Sequence, residues 1–241
     1  MLNRSPWGDI MRIAARFSVR RFGVRSSTAA LFASLTLLCA AWFLAGSHQS
    51  TTPVFAAELK PIQLPAPQTT GGAPLMQALA QRKTTRAFAD KPLPMQTLSN
   101  LLWAAFGINR PRDVKAGLGR TAPSARNTQD IDLDVVLRDG VYVYDAEHNL
   151  LRPVLAGDLR STLTPAPAAQ AAVTIIYVAP ARDDYAQVDT GFIGQNVYLF
   201  AASEGLNAWF YASHPADINT RLGLGPDRVV LYLQTVGYPP Q

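Results

Sequence analysis

Outside the first 57 residues, positive charge in this 241-residue sequence is densest in the run RKTTR at residues 82–86. Two guanidinium groups, one ammonium group and two hydroxyls within five residues can form bidentate and single charge-assisted hydrogen bonds to a phosphate. Arg82 also continues an apolar helical stripe three residues after Leu79. Its guanidinium is therefore expected on the buried side, where an anion would offset the cost of burial. A solvated helix end, where basic side chains complement the helix dipole, explains the same residues, and both interpretations remain open.

A second group of residues, GLGRTAPSARN at 117–127, is predicted to be a loop between a helix and a strand. Its small and polar residues can bring backbone amides close to a planar or anionic ligand, although an ordinary surface loop is the more usual explanation of such a composition. A third group, GFIGQN at 191–196, lies within a predicted helix. Two glycines three residues apart indicate that another backbone passes close by. Gln195 and Asn196 are expected to be buried polar groups in a subunit contact, with no catalytic role.

Residue types that carry out other common chemistries are absent from the sequence or badly spaced. The single cysteine, Cys39, lies in the N-terminal leader, so the chain beyond it has no thiol nucleophile and no thiolate metal site. His148 and His214 lack metal-ligand spacing to each other or to a pair of carboxylates. No dinucleotide-binding glycine motif, phosphate-binding Walker loop or nucleophile elbow is present. The sequence therefore predicts no catalytic side chain and no metal site, and assigns any chemistry to a bound cofactor.

Helices are predicted around these groups by apolar residues at helical spacing. A short amphipathic helix begins after Pro74 and carries Leu75, Ala78 and Leu79 on one face. A second helix follows Pro94, and Gly107 suits a left-handed stop at its end. A long helix is predicted at residues 184–203, closed by Gly205.

Strands are predicted where the apolar period changes to two. Residues 131–137 alternate, and the pair Asp139-Gly140 predicts a hairpin turn with positive φ leading into 141–144. A third strand at 150–154 completes a meander. The β-branched runs at 173–179 and 229–236 are typical of central buried strands. Because helices and strands mix without strict βαβ alternation, the predicted class is α+β.

The first 57 residues are predicted to be an export signal, with a membrane anchor as the alternative. They carry six arginines and one acidic residue, whereas the rest of the chain carries 16 basic and 16 acidic residues. An uncharged apolar run at 29–46 is long enough to remain as an inner-membrane anchor, while the small residues at 56–57 suit cleavage. The run SVRRF at 18–22 resembles a twin-arginine export signal, which favours the periplasm.

The sequence therefore predicts three segments. Residues 1–57 form the signal or anchor, residues 58–73 form an extended Pro- and Gly-rich lead-in segment, and residues 74–241 form one ligand-binding domain. The neutral charge of the chain after residue 57 argues against nucleic-acid binding.

Several motifs together resemble the FMN-dependent nitroreductase family. The run RKTTRAF at 82–88 is similar to the flavin-phosphate motif R-x-S-x-R of that family, with Thr in place of Ser. The run PSARN at 123–127 is similar to the P-S-S/A-x-N loop. The runs at 101–110, 194–196 and 236–239 resemble the branch of exported nitroreductase-like and azoline-dehydrogenase-like proteins. The resemblance extends from Pro74 to Pro239.

This resemblance implies a homodimer with a nitroreductase-like α+β fold, in which helices flank a central, mostly antiparallel sheet. Arg82, Lys83, Thr84 and Arg86 would bind the phosphate and ribityl chain of FMN, whereas Pro123, Ser124 and Asn127 would line the flavin ring across the dimer interface. Two features depart from the family pattern. The sequence shows no basic pair after the final strand, which puts the strength of FMN binding in question, and residues 212–213 are Ala-Ser where many members have Glu-Gly.

The implied activity is that of an FMN-dependent oxidoreductase, which passes a hydride or electrons through the flavin to a small electron-poor acceptor such as a nitroaromatic or a quinone. NADH or NADPH is one donor, and a membrane or periplasmic donor is another. The alternatives are a flavin- or phosphate-ligand-binding protein without turnover, a membrane-anchored interaction protein with an empty pocket, and a flavin dehydrogenase of a peptide heterocycle.

Overall fold

The computed structural model describes residues 59–113, 117–163, 165–166, 168–212 and 214–241. The predicted export signal, and the alternative membrane anchor at 29–46 within it, lie outside the described residues. Among the residues that are described, no helix is both long and apolar enough to cross a membrane.

The described chain contains nine strands, five helices and two single 3-10 turns. The strands are β1 (Ile62–Gln63), β2 (Ile108–Asp113), β3 (Gly117–Arg120), β4 (Asp132–Val136), β5 (Gly140–Asp145), β6 (Leu150–Ala156), β7 (Val173–Pro180), β8 (Asn207–Tyr211) and β9 (Arg228–Gly237). The helices are α1 (Leu75–Gln81), α2 (Met95–Phe106), α3 (Arg160–Leu163), α4 (Ala186–Ser203) and α5 (Ile218–Arg221), and the 3-10 turns are Ala125–Asn127 and Ala168–Gln170.

Seven of the strands form one sheet in the order β1-β6-β5-β4-β7-β9-β8, and every neighbouring pair is antiparallel. The apolar runs predicted as central strands are β7 and β9, which lie side by side. Helices α2 and α4 cover one face of the sheet, where Leu101, Ile193 and Ile175 pack together. The short helices α3 and α5 help to cover the other face through Leu163 and Ile218. This architecture confirms the predicted α+β fold with a mostly antiparallel sheet.

Two glycines predicted to provide positive φ angles serve a different purpose. Gly107, at the end of α2, is extended (φ −70°, ψ 170°), and a Cβ atom there would lie 2.5 Å from Trp103 Cδ1. The hairpin between β4 and β5 is confirmed, yet neither Asp139 nor Gly140 has a positive φ. A Cβ atom on Gly140 would lie 2.6 Å from the carbonyl oxygen of Leu155. Glycine is therefore required at both positions by close packing, which local turn chemistry does not reveal.

The structure also extends the folded domain beyond the predicted limits. Residues 117–120, predicted as part of a loop, form β3 and pair with β2 in a separate hairpin. The lead-in segment does not precede the fold as an appendage, because β1 pairs with β6 and Leu64 is buried. The domain therefore begins before Pro74, because the burial of Leu64 and the pairing of Ile62 and Gln63 with β6 anchor the segment.

Asp134 gives the domain a predicted pH dependence. It lies on β4 between Val143 and Ile176, is 5% exposed, and its carboxyl group makes no hydrogen bond or ion pair in the described part of the chain. Burial and the neighbouring Asp132 carboxylate raise its pKa to about 7. An unfolded aspartate titrates near ~3.9, so the folded protein binds this proton more tightly. Its contribution to stability is full below about pH 4 and is lost as the pH rises towards 7.

We expect Asp134→Asn to raise the free energy of unfolding at pH 8, by at most about 4 kcal/mol, because about three pKa units separate the two states. At pH 4 the substitution should change little, since Asp134 is then already uncharged. Urea unfolding at both pH values checks this, with Asp184→Asn on the exposed surface as the control. An equal gain at both pH values would contradict it.

Candidate functional site

The cationic motif at 82–86 is attached to the exposed edge of the sheet. Arg82 follows α1 directly, and its N–H still donates to the carbonyl of Ala78 at 2.9 Å. The chain then runs beside the edge strand β8. The Thr85 N–H donates to the Ala208 carbonyl at 2.9 Å, and the Ala208 N–H donates to Thr85 Oγ1 at 3.1 Å. Because the outer backbone groups of an edge strand need partners, these bonds fix the motif in place.

The three cations of the motif have no acidic partner in the part of the chain that the structure describes. Among the described residues, Arg82, Lys83 and Arg86 take part in none of the ion pairs. The Arg82 guanidinium carbon lies 5.3 Å from the centroid of the Tyr198 ring, and that of Arg86 lies 5.2 Å from the Trp209 ring. Aromatic faces orient guanidinium groups without neutralising them, so this edge carries uncompensated positive charge.

Arg82 is predicted to point to the buried side because it continues the apolar stripe of α1. Within one chain this explanation is wrong. The apolar stripe of α1 does not face the core, because Leu75 is 63% exposed, Leu79 is 43% exposed and only Ala78 is buried. Arg82 is half-buried because its side chain lies over the ring of Tyr198. The apolar face of α1 is instead available for a contact outside this chain.

Two cavities border α1 and α4. The smaller, about 530 Å³, is lined by Lys83, Tyr198, Pro239 and several small residues of α1 and α4. The larger, about 640 Å³, lies between α1, α2, α4 and residues 68–73, and none of the predicted site residues lines it. Both volumes suit a small ligand. The smaller cavity is the one that adjoins the cationic motif.

The second predicted group forms a loop of fixed shape. Arg126 and Asn127 have positive φ angles of 54° and 56°, and Gln129 has 53°. A positive φ angle is energetically costly for residues other than glycine, so surrounding contacts must stabilise the backbone of this loop. Ser124 Oγ accepts the Gln129 N–H at 3.0 Å, and Asn127 Oδ1 accepts Gln129 Nε2 at 2.7 Å. Pro123 and Asn127 are exposed on the outer side of this loop.

Asp189 holds this loop to α4, and sequence reasoning missed it. The Ala125 N–H donates to both carboxylate oxygens of Asp189 at 3.0 Å, and Asp189 is fully buried in the first turn of α4. Burial raises the pKa of this carboxyl. The only sequence signal is an acidic residue early in a predicted helix, which the helix dipole explains equally well.

Within one chain the two groups stay apart. The motif contacts α4 at Tyr198, whereas the loop contacts α4 at Asp189. The nine-residue separation along the helix corresponds to about 13 Å at ~1.5 Å per residue. In the described part of the chain, no hydrogen bond or ion pair joins the two groups.

The third predicted group is only partly as expected. A Cβ atom on Gly194 would lie 2.9 Å from the Phe210 ring, so close packing there comes from a side chain. The same prediction is wrong for Gly191, which has no neighbour within 4 Å. Gln195 is exposed, so its predicted burial is also wrong within one chain. Asn196 is half-buried and donates to the Ala105 carbonyl at 3.5 Å.

Comparison with known proteins identifies the family of this domain. The model of the nitroreductase family matches residues 79–238, from the end of α1 to the end of the sheet. This chain belongs to the nitroreductase family. The match includes both the cationic motif and the loop at 123–127, and it confirms the family inferred from the sequence, while the branch within the family stays a prediction. As a member of this family, the protein is an oxidoreductase.

Individual nitroreductase relatives agree with this assignment. A candidate nitroreductase from Ralstonia eutropha JMP134, known as a crystal structure, is 34% identical with a TM-score of 0.67, over 76% of this chain and 91% of that chain. A candidate nitroreductase from Methanocaldococcus jannaschii is 29% identical over 153 residues, which are 55% of this chain and 75% of the relative. A likeness of fold alone is found in the Escherichia coli microcin synthetase complex with a truncated pro-microcin bound, with a TM-score of 0.56 and 18% identity over 88% of this chain and 85% of that chain.

Removing the Asp189 carboxylate should loosen the loop of this nitroreductase-family domain. We expect Asp189→Ala to lower the free energy of unfolding by about 1–3 kcal/mol, because the partly buried Ala125 N–H loses its acceptor. Amide hydrogen exchange at residues 124–129 should accelerate. Asp189→Asn keeps an acceptor oxygen and should be milder, and Asp184→Ala on the exposed surface is the control. Unchanged exchange in Asp189→Ala would refute the anchoring role.

Proposed function

We propose that this nitroreductase-family protein is a homodimeric, FMN-dependent oxidoreductase whose residues Arg82, Lys83, Thr84 and Arg86 bind the FMN phosphate. One observation carries the proposal. Arg82, Lys83 and Arg86 lie at the edge of the sheet beside a cavity of about 530 Å³, and they have no acidic partner among the described residues. Uncompensated charge of this kind is stabilised by an anion that accepts several hydrogen bonds.

The donor set of the motif fits a phosphate group. Arg82 and Arg86 can each present two N–H groups to phosphate oxygens, and their aromatic neighbours restrict where the guanidinium planes lie. Thr84 is exposed and supplies a hydroxyl, whereas Thr85 is already bonded to β8. When bound, FMN supplies electron or hydride transfer to a small electron-poor acceptor such as a nitroaromatic or a quinone. The protein residues bind and orient the cofactor.

A second subunit would complete the site. Pro123, Ser124 and Asn127 are proposed to line the flavin ring, but their loop is held at the opposite end of α4 from the cationic motif. A partner subunit can bring its loop to the motif of this chain, and a single subunit does not. This separation favours a site built across a homodimer.

Exposed apolar side chains supply a surface for that homodimer. They lie mainly on α1 and around α4: Leu75, Met76, Leu79, Tyr185, Val188 and Phe192. Helix α4 carries apolar residues on two sides: Ile193 and Val197 pack on the sheet, whereas Val188 and Phe192 are exposed. A second copy of α4 would bury these exposed apolar side chains.

The proposal also includes export from the cytoplasm, because residues 1–57 are predicted to be a cleaved signal or a membrane anchor. Twin-arginine export transports proteins that have already folded around their cofactor, which suits a flavoprotein because free FMN is scarce outside the cytoplasm. NADH and NADPH are scarce there too. A membrane or periplasmic electron donor is therefore favoured over a nicotinamide if the protein is periplasmic.

The direct test of the cofactor is the visible absorption spectrum of the purified protein, followed by identification of the flavin released by heat. We expect a yellow protein that releases FMN. A colourless protein that does not take up added FMN would refute the proposal.

Arg82→Ala should weaken FMN binding by about 10- to 150-fold, because a hydrogen bond to a charged group contributes about 1.5–3 kcal/mol. Titration of the apoprotein with FMN measures this. Arg182→Ala, at an exposed arginine after β7, is the matched control and should bind FMN as the wild type does. Equal affinity in the two variants would exclude Arg82 from the site.

Placing a charge on the outer face of α4 should disrupt the homodimer. We expect Phe192→Asp to elute as a monomer in size-exclusion chromatography with light scattering, and to bind FMN poorly. Val154→Asp places the same charge at a similarly exposed apolar position on β6 and should remain dimeric. A Phe192→Asp variant that remains dimeric would show that this face is not the interface.

A further inference from the structure

Tyr198 makes three separate contacts around the cationic motif, although it lies more than 100 residues away in sequence. Its ring lies under the Arg82 guanidinium, at 5.3 Å from centroid to carbon. Its hydroxyl oxygen lies 3.0 Å from Thr84 Oγ1 and 2.8 Å from the backbone nitrogen of Phe210. It also lines the cavity of about 530 Å³ that Lys83 borders.

Only one of the two hydrogen bonds of the Tyr198 hydroxyl has a fixed direction. A backbone N–H can only donate, so the Phe210 N–H donates to the tyrosine hydroxyl oxygen. The tyrosine hydroxyl keeps one proton, and either oxygen can be the donor in its bond with Thr84 Oγ1. When Thr84 accepts that proton, its own hydroxyl proton is available for another acceptor. Hydrogen bonds in such a chain strengthen one another.

The outer edge of β8 fixes the position of the Tyr198 hydroxyl. The outward N–H of Ala208 is taken by Thr85 Oγ1, and that of Phe210, two residues later, is taken by the Tyr198 hydroxyl. The edge strand thereby fixes the Tyr198 hydroxyl beside Thr84. One of the two lone pairs of that hydroxyl oxygen is already used by the Phe210 N–H. Arg82 and Thr84, on either side of Lys83, are both held by this one side chain.

We infer that Tyr198 is a positioning residue that makes the site selective for a ligand ending in a phosphate monoester. It directs the Thr84 hydroxyl proton and the Arg82 guanidinium to the same anionic group. The inference rests on the proposed function, in which residues 82–86 bind the phosphate of FMN. It concerns the preference for FMN over riboflavin, which carries the same ring without the phosphate.

Tyr198→Phe in the full-length chain tests the role of the hydroxyl, because it keeps the ring under Arg82. We expect the affinity of the apoprotein for FMN to fall about five- to tenfold, the loss of about one hydrogen bond, with the affinity for riboflavin unchanged. The matched control is Tyr232→Phe. The Tyr232 ring stacks on Phe210 at 4.9 Å, and its hydroxyl makes no hydrogen bond in the described part of the chain.

A double-mutant cycle separates this role from general stabilisation. Thr84→Val should weaken FMN binding about as much as Tyr198→Phe, and the double variant should lose little more than either single variant, because one relay is broken in each. If the loss of FMN affinity in the double variant equals the product of the two single losses, Tyr198 does not act through Thr84, and the inference is wrong. If Tyr198→Phe fails to fold, ¹³C-tyrosine NMR of the wild type replaces it. The Tyr198 Cζ signal should then shift on addition of FMN or inorganic phosphate but not of riboflavin, and an unmoved signal overturns the inference.

Different results contradict the phosphate site and the role of Tyr198. A wild-type protein that binds FMN no better than riboflavin contradicts the proposed phosphate site itself. A wild-type protein that prefers FMN, together with a Tyr198→Phe variant that keeps the whole preference, overturns the role of Tyr198 and leaves the phosphate site intact.

Discussion

The outer edge of β8 must satisfy backbone groups that no further strand reaches, and the arrangement of the site depends on how it does so. Thr85 pairs with Ala208 through one backbone bond and one side-chain bond, and Tyr198 accepts the N–H of Phe210. These contacts convert an exposed strand edge, a common cause of aggregation, into the support for a charged motif. They also decide which hydroxyl remains available, because Thr85 is occupied and Thr84 is not bonded to the strand.

Helix α4 carries the second constraint, because one rigid element contacts both parts of the proposed site at different places. Asp189, near its beginning, holds the loop at 123–127, and Tyr198, one to two turns before its end, contacts the cationic motif. A rigid helix keeps these halves about 13 Å apart along its axis. The same helix presents exposed apolar side chains on its outer face. The distance between the halves and the unburied surface thus lead to one proposal, a site shared by two subunits.

Local patterns in the sequence predicted the elements that are long and strongly periodic. Helices α2 and α4 and strands β7 and β9 follow from apolar spacing, and the motif at 82–86 follows from residue types alone. Features set by distant contacts could not be predicted in this way. Gly107 and Gly140 are glycines because side chains and backbone from other positions lie close to them. Apolar spacing predicts that the stripe of α1 faces the core, yet Leu75 and Leu79 are exposed, because periodicity identifies an apolar face and does not say which surface covers it. Asp189 and Tyr198 look like ordinary helix residues until the fold places Ala125 and Thr84 beside them.

The central claim is that one site is built from two chains, and subunit complementation tests it most directly. Chains carrying Arg82→Ala are mixed with chains carrying Ser124→Ala and Asn127→Ala, each of which should bind FMN poorly as a homodimer. If each site combines the cationic motif of one chain with the loop of the other, one site of the mixed dimer contains all three substitutions and the other site contains none. The account therefore predicts that mixing restores tight FMN binding, with one FMN per heterodimer. Mixed dimers that form and still bind no FMN tightly would show that each site lies within a single chain, and would contradict the account.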